Sequence, residues 1–408
     1  MEEDRMSQLP DAILQQIISF INIKQAVQTT ILSKRWKNLW FSLSDLDFNF
    51  NCLAIHSRVN LKNMQASRDF FHLFAQFVDH FLSHRDHTST VRKLHLSLMD
   101  SDSGLLGIES VTPLLEKCVD YAINHGVQAL HLDALCCPPL RFPDAIFASK
   151  TLRELKLRQF DNSIYIPKGF SLPHLKTLYL ENFDFMNDDG HEFCSSFSKE
   201  PFSGFPELEK LTLHRCRISG LVILGPKLRN LEMIDNEFYW SDSEAMEAIS
   251  APELTSFRCQ GHFPLECSKL NFPLLEEACL NLSIRYHIIK DKGITLKCIR
   301  FLQQLGNAKN VTLSLDTIKA LEADLRVIEQ SSSPFPNMKY LKLRRGEGRR
   351  EFPTVLQRVM NYLTEGSSCG DSLMVEFPEG VSVVESDLED LSDEDSDELH
   401  AQLEHLFE

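Results

Sequence analysis

Three histidines lie at a spacing that could bind a metal ion. His80, His84 and His87 fall at i, i+4 and i+7 of a phenylalanine-rich segment that is predicted to be helical, and imidazoles on one helix face can ligate zinc. No carboxylate or thiolate obviously converges on them, and the other face of this helix is apolar. We therefore interpret the histidines as a solvated polar face and predict no metal site.

A basic segment follows the last predicted strand. Arginine occupies four of the seven positions from 344 to 350, in the order RRGEGRR. Guanidinium groups at this density could hold a phosphate-bearing ligand or peptide. An exposed charged loop explains the same composition without any ligand, and it is the interpretation that we favour.

The sequence lacks the motifs of common catalytic and nucleotide-binding sites. It contains no phosphate-binding P-loop, no G-x-G-x-x-G, no G-x-S-x-G and no H-E-x-x-H. Its eleven cysteines are scattered, form no C-x-x-C, and mostly adjoin apolar residues, which is typical of reduced thiols in a core. The sequence therefore predicts a non-catalytic protein of the nucleus or cytoplasm, without a cofactor.

The negative charge is concentrated near the C-terminus. The formal net charge is −16, and residues 385–408 hold eleven acidic residues and no Lys or Arg, which leaves only −5 for the rest. These totals do not suggest a nucleic-acid partner. The acidic tail is predicted to be disordered, because it cannot bury enough apolar surface to offset its chain entropy. No apolar run of 18 residues and no secretory signal is visible, so no membrane association is predicted.

The first 43 residues carry more apolar surface than so short a segment can bury. Pro10 suits a helix start, a second helix is predicted over roughly 24–32, and Ser33 is a plausible N-cap for a third. A unit of about 40 residues hides only a little over half of its unfolded surface. The excess predicts a protein partner. The apolar residues are Leu9, Ile13, Leu14, Ile17, Ile18, Val27, Ile31, Leu32, Trp36, Leu39 and Trp40.

A repeat occupies most of the remaining chain. The pattern L-x-x-L-x-L recurs ten times between Val91 and Leu343, and the shorter intervals of 20 to 26 residues fall in the range of leucine-rich repeats. In six of the ten, proline stands two residues before the first position, where the corner before a strand would lie. The pattern predicts short parallel strands stacked in a solenoid, although unrelated amphipathic strands remain an alternative.

The N-terminal segment resembles a plant-type F-box. The matching residues run in order through Leu9-Pro10-Asp11, Ile13-Leu14, Ile17, Ser19-Phe20, Ala26-Val27, Thr30, Leu32-Ser33-Lys34-Arg35-Trp36 and Leu39-Trp40. Asn22-Ile23 departs from the Leu-Pro that such sequences often carry. Two helical stretches, 67–84 and 109–125, also resemble the segments that begin the repeats of plant F-box/LRR proteins.

The resemblance implies an α/β architecture and a partner. We expect an F-box over 1–45, a helical linker over 46–90, a leucine-rich-repeat solenoid with a curved parallel sheet over 91–365, and a C-terminal segment with the acidic tail over 366–408. F-boxes dock onto a Skp-type adaptor, and through it onto a cullin, in SCF ubiquitin ligases. The positions that carry over to this face or its support are Leu9, Pro10, Ile13, Leu14, Ile17, Leu32, Trp36 and Trp40.

The repeats are then expected to bind a target protein. Outward residues between the repeat leucines would form the contact face, namely Lys156, Arg158, Tyr179, His214, Arg258, Lys342 and Arg344. Two alternatives stay open at this point. The repeats could serve as an interaction scaffold with no ligase role, or the same scaffold could hold a small ligand in a pocket that sequence cannot show.

Overall fold

The computed structural model describes residues 8–21, 23–33, 35–61, 63–85, 89–98, 108–134, 142–159, 171–183, 185, 200–218, 221–236, 248–261, 269–282, 293–345, 354–365 and 373–384. The chain divides into two compact units, Met1–Ala278 and Cys279–Glu408. Within the described ranges, no helix is both long and apolar enough to cross a membrane. The predicted tail over 385–408, His87 and the arginines at 349 and 350 lie outside these ranges.

The N-terminal segment is helical, as predicted, but its later turns are tighter than α-helix. Helices α1 (Asp11–Ser19) and α2 (Ile23–Gln28) are followed by 3₁₀ helices at Thr29–Ile31 and Trp36–Ser42. The hydroxyl of Thr29 donates to the carbonyl of Ala26 at 2.7 Å, and such side-chain bonds to the backbone compete with α-helix. The predicted second helix is therefore shorter than expected, and the third is 3₁₀.

Three longer or capped helices follow in the first unit. Helix α3 (Phe50–His56) is capped by Asn49, α4 (Met64–His84) is capped by Asn63, and α5 is Ile108–Asn124. Helices α4 and α5 correspond to the two helical stretches predicted from sequence, 67–84 and 109–125. Each predicted end lies within three residues of the observed one. A 3₁₀ helix at Asp144–Ala148 precedes the fourth strand.

Among the described residues, twelve strands begin in the first unit, and the last of them continues past the boundary at Ala278. They are β1 (Asp45–Asn49), β2 (Lys93–Ser97), β3 (Ala129–Ala134), β4 (Glu154–Gln159), β5 (Thr177–Glu181), β6 (Lys210–His214), β7 (Val222–Leu224), β8 (Asn230–Ile234), β9 (Ala248–Ser250), β10 (Ser256–Gly261), β11 (Leu270–Asn271) and β12 (Glu277–Leu282). Strands β1 to β6, β8 and β10 pair in parallel, side by side in chain order. Strands β7, β9 and β11 form a second small parallel sheet.

The second unit repeats this pattern on a smaller scale. Its helices are α6 (Ile294–Gln303), α7 (Leu315–Glu322), α8 (Leu325–Glu329) and α9 (Gln357–Thr364), and its strands are β13 (Asn310–Ser314), β14 (Tyr340–Arg344), β15 (Thr354–Leu356), β16 (Met374–Glu376) and β17 (Ser382–Val384). Strands β13, β14 and β16 are paired in parallel, as are β15 and β17. Ser314 caps α7 by accepting a hydrogen bond from the backbone of Thr317.

All ten predicted motifs coincide with strands, so the leucine-rich repeats are confirmed. The second and third leucine positions of neighbouring repeats lie in register and are almost fully buried, as in the pairs Leu155 with Leu178 and Leu157 with Leu180. Sequence reasoning missed β1, although LSDLDF, starting at Leu43, has the same pattern. This strand lies within the segment predicted to be a helical linker.

The six prolines stand where the pattern predicted a corner. In each case the first leucine position closes a four-residue turn by donating to the carbonyl three residues earlier, for example Leu175 to Leu172 at 3.1 Å and Leu254 to Ala251 at 3.0 Å. Proline then occupies the second turn position, which its fixed φ favours. The proline therefore sets the direction of the strand that follows.

Asn236 occupies the ninth repeat position and ties two repeats together. Its side chain accepts a hydrogen bond from the backbone N–H of Cys216 at 2.8 Å and donates to the carbonyl of Leu213 at 3.0 Å. The residue is 3% exposed. The buried side-chain amide of Asn236 therefore provides hydrogen-bond partners for two backbone groups at this corner.

Replacing Asn236 with alanine should destabilise the first unit by about 2 kcal/mol, because one N–H and one C=O would stay buried without a partner. The measurement is the midpoint of urea unfolding. Asn230→Ala is the matched control, because Asn230 is exposed on the neighbouring strand β8. Equal midpoints for the two variants would show that the Asn236 contacts carry no net stability.

Candidate protein-interaction surfaces

The structure separates the predicted F-box residues into a buried set and an exposed set. Leu14, Trp36 and Trp40 are buried, at 0%, 3% and 6% exposure. These three side chains therefore support the F-box surface from inside. The remaining predicted residues reach solvent: Leu9 and Ile17 partly, and Pro10, Ile13 and Leu32 openly.

Two of the most exposed apolar side chains in this segment were not among the predicted contacts. Phe20 is 80% exposed and Ile31 is 86% exposed, compared with 62% for Leu32. Phe20 caps the end of α1, and Ile31 ends a 3₁₀ helix. Both lie at helix ends, where the helical periodicity used to find buried and exposed faces no longer applies.

A surface cavity of about 330 Å³ lies beside Phe20. Its floor is apolar and its rim is charged. The floor residues include Ile18, Ile23, Ala26, Leu43 and Leu46, and the rim carries Asp45, Asp47, Lys93 and His95. The cavity thus lies between Phe20 and Ile21, at the end of α1, and the first two strands of the sheet.

The outward face of the sheet brings three of the predicted target-binding residues together. Arg158 Nε donates to Glu181 at 2.6 Å, and the hydroxyl of Tyr179 donates to the same carboxylate at 2.8 Å. His214 Nδ1 lies 2.9 Å from the Tyr179 hydroxyl and 3.4 Å from Glu181. Glu181 is the centre of this cluster, and it was not predicted.

Two further carboxylates on the outward face, Asp47 and Asp133, contact the ring of His95. His95 Nδ1 lies 2.8 Å from Asp47, and its Nε2 lies 3.1 Å from Asp133. Asp133 is also 3.6 Å from Arg158, so the polar network runs without a break from β1 to β6. Because both ring nitrogens face carboxylates, this geometry favours the doubly protonated imidazolium.

Three groups in this network, His95, Glu181 and Tyr179, have strongly shifted pKa values. Burial opposes the charge of His95, but the hydrogen bonds to Asp133 and Asp47 outweigh burial and raise its pKa from 6.5 to about 9. Burial also opposes the charge of Glu181, but the bonds from His214, Arg158 and Tyr179 lower its pKa from 4.5 to about 2. Burial and the bond to Glu181 raise the pKa of Tyr179 above its usual range.

These shifts predict the pH dependence of the first unit. The raised pKa of His95 adds stability that is complete below pH 6.5 and is lost as the pH rises to about 9. The lowered pKa of Glu181 adds stability that is complete above pH 4.5 and is lost as the pH falls to about 2. We expect a stability plateau between these limits, measured by urea unfolding across pH. His95→Gln should flatten the alkaline side, and an unchanged alkaline slope in this variant would contradict the assignment.

The other predicted face residues lie apart from this network. Lys156 pairs with Glu154 at 2.8 Å, and Arg258 donates to Gln260 at 2.8 Å. In the second unit, Lys342 and Tyr340 both bind Glu376, and Arg344 is exposed at the end of β14. The arrangement is therefore a series of outward polar side chains and has no single converging site.

The histidines and cysteines suggest no site for a metal among the residues described. The ring centroids of His80 and His84 lie 3.9 Å apart with the rings tilted by 42°, and His84 Nδ1 is bonded to the carbonyl of His80 at 2.8 Å. No group of three or more potential ligands converges in these ranges. Burial raises the pKa of Cys118, Cys216 and Cys298 to about 12, so these thiols stay protonated.

Two family models match the chain. The F-box domain model matches residues 6–47, and a model described as "FBD-associated F-box protein At5g56370, LRR repeats" matches residues 115–269. The first match covers α1, α2 and the two 3₁₀ helices that follow them, and the second covers β3 to β10.

Several proteins of Arabidopsis thaliana are similar over much of this chain. The F-box/LRR-repeat protein At3g18150 is 30% identical over 347 residues, which is 82% of this chain and 64% of that protein. The F-box/LRR-repeat protein At2g42730 is 30% identical over 69% of this chain and 57% of its own length. The F-box/FBD/LRR-repeat protein At3g51530 is 28% identical over 62% of this chain and 49% of its own length.

This chain spans about half to two thirds of the length of these three relatives. The matches agree with the order of elements in the structure, a helical N-terminal segment followed by parallel strands on the L-x-x-L-x-L motif. The chain belongs to the plant-type F-box/LRR-repeat proteins.

Proposed function

We propose that this chain is the target-recognition subunit of an SCF ubiquitin ligase. Its F-box would bind a Skp-type adaptor and, through it, a cullin. One observation carries the proposal: an F-box segment with a closed core around Leu14, Trp36 and Trp40 still exposes Phe20, Ile31 and Leu32 to solvent. Large apolar side chains left exposed on a small helical segment mark a protein interface.

The outward face of the parallel sheet would bind the target protein. The outward network around Glu181 and His95 is polar, partly buried and held by cross-strand bonds, so it offers a rigid surface with little ordering cost on binding. A protein that binds the adaptor at one end and a target on the sheet would supply proximity and orientation. Transfer of ubiquitin to a lysine of the target would then belong to other subunits, in the nucleus or the cytoplasm.

The test is a direct binding measurement between the full chain and a purified Skp-type adaptor. We expect a stable one-to-one complex by gel filtration and isothermal titration calorimetry. A folded chain that binds no Skp-type adaptor would refute the ligase role and leave the alternative, in which the repeats act as an interaction scaffold alone.

A further inference from the structure

The amino-terminal edge of the sheet in the first unit is a row of exposed and half-buried residues. The backbone N–H of the residue just before a strand donates to the backbone carbonyl of the equivalent residue in the preceding repeat. Examples are Arg153 to Gln128, Lys176 to Arg153 and Glu209 to Lys176, at 2.8 to 2.9 Å. Neighbouring strands lie about 4.8 Å apart. Side chains at this position therefore form a row along the corner of the repeats.

Charge along this edge changes after β5, from a mainly basic stretch to a mixed one with an acidic excess, and β1 precedes the basic stretch with Asp45. The edge comprises three positions in each repeat: the third residue before the strand, the residue just before it, and the first residue of the strand. From β2 to β5 these positions hold four basic residues and one acidic residue, namely Arg92, Lys93, Arg153, Lys176 and Glu154. From β6 to the start of β12, omitting the small second sheet, they hold three basic and five acidic residues: Lys210, Lys227, Arg229, Glu207, Glu209, Glu253, Glu276 and Glu277.

The basic half is only partly neutralised by its own neighbours, since Arg92 is paired with Asp45 of β1 but keeps 65% of its side chain exposed. Its one carboxylate, Glu154, is already bound by His131 at 2.9 Å and by Lys156 at 2.8 Å. Lys176 shares Glu209 at 2.6 Å, with both side chains more than 40% exposed. Arg153 has no ion-pair partner among the residues that the structure describes, so its guanidinium is available to a ligand.

A surface cavity of about 350 Å³ lies at the middle of this edge. It is lined by Arg153, Pro173, His174, Lys176 and Glu207. Glu207 is paired with Lys227 at 2.6 Å. The cavity therefore offers a guanidinium and an ammonium group beside an apolar proline, with its own carboxylate engaged elsewhere.

We propose that this basic edge, Arg92, Lys93, Arg153 and Lys176, binds an extended segment of the target protein that is rich in Asp and Glu. Charge complementarity argues for this partner. From β2 to β5 the edge spans three strand spacings, about 14 Å, which an extended peptide covers in four to five residues, at about 3.3 Å each. A nucleic acid fits less well, because its longer row of phosphates would run onto the acidic half that begins at β6.

That the partner is a target protein rests on the proposed function, whereas the binding experiment does not depend on it. The probe is a labelled five-residue peptide of alternating Glu and Ser, with the Lys and Ser version as comparison, titrated against the full chain by fluorescence anisotropy. We expect the acidic peptide alone to bind, and binding to weaken at least about tenfold as ionic strength rises from about 0.05 to 0.3 M.

Arg153→Glu should weaken binding of the acidic peptide at least about fivefold, because an attractive charge becomes a repulsive one. Arg229→Glu is the matched control: it occupies the same repeat position in the acidic half, and we expect less than about a twofold change. Equal losses in both variants, no binding of the acidic peptide, or tighter binding of the basic peptide or of an oligonucleotide would each overturn the proposal. Adaptor binding is measured on the same samples, so failure of the ligase role and failure of the basic edge are separate results.

Discussion

Replacing Ile31 and Leu32 with aspartate is expected to weaken binding of a Skp-type adaptor at least about a hundredfold, or about 2.7 kcal/mol. These side chains are 86% and 62% exposed, so they contribute to an interface without supporting the core. Burying two large apolar side chains at an interface can contribute about 1.5 to 3 kcal/mol each, and two buried carboxylates would add a desolvation cost. The measurement is calorimetric titration of the double variant with the adaptor.

Thermal stability decides how that result is interpreted. Surface substitutions away from special contacts usually change stability by less than about 0.5 kcal/mol, so the double variant should unfold at nearly the wild-type temperature. Ile55→Asp is the matched control, because Ile55 is 69% exposed on α3, outside the F-box match. Unchanged affinity in the Ile31 and Leu32 variant, or an equal loss in Ile55→Asp, would remove this surface from the adaptor interface.

The repeats could be predicted from sequence because their signal is local. Each strand carries its own alternating leucines, and six of the ten motifs also carry the proline of the preceding turn, as at Pro173 and Leu175. Both features lie within eight residues and recur, so insertions between repeats do not erase them. Strand β1 carries the same signal, because Leu43, Leu46 and Phe48 satisfy the pattern.

Exposure within the F-box was harder to predict. Leu14 and Ile13 are adjacent and equally apolar, yet one is fully buried and the other is 42% exposed. Helical periodicity gives a face only where the helix is regular, and Phe20, Ile31 and Leu32 lie at helix ends or in 3₁₀ turns.

The sequence predicted the face of the sheet on which the outward network lies, but not the carboxylates that hold it together. Arg158, Tyr179 and His214 were expected to point outward, and they do, but the carboxylates that organise them were not identified. Asp133 lies 38 residues from His95, and Glu181 lies 33 residues from His214. Their meeting depends on the register between strands that are separated by insertions of variable length, so no local pattern encodes it.

Trp40→Ala should destabilise the first unit by about 3 to 5 kcal/mol, because it removes a large side chain from a packed core. The indole is 6% exposed and lies 4.0 Å from the ring of Phe41 and 4.7 Å from Phe81, between ring centroids. Phe81 in turn packs edge-on against Phe48 of β1 at 5.5 Å. The substitution should therefore loosen the F-box from α4 and from the first strand, and the measurement is the free energy of urea unfolding.

Trp40→Phe separates support of the F-box from direct contact with the adaptor. The indole N–H of Trp40 has no hydrogen-bond partner among the described residues, so phenylalanine keeps an aromatic ring while removing an unsatisfied donor. We expect a stability loss below about 1.5 kcal/mol and an adaptor affinity within about threefold of wild type. If Trp40→Phe instead abolishes adaptor binding at unchanged stability, the indole itself contacts the adaptor, and the F-box must open around Trp40 when the complex forms.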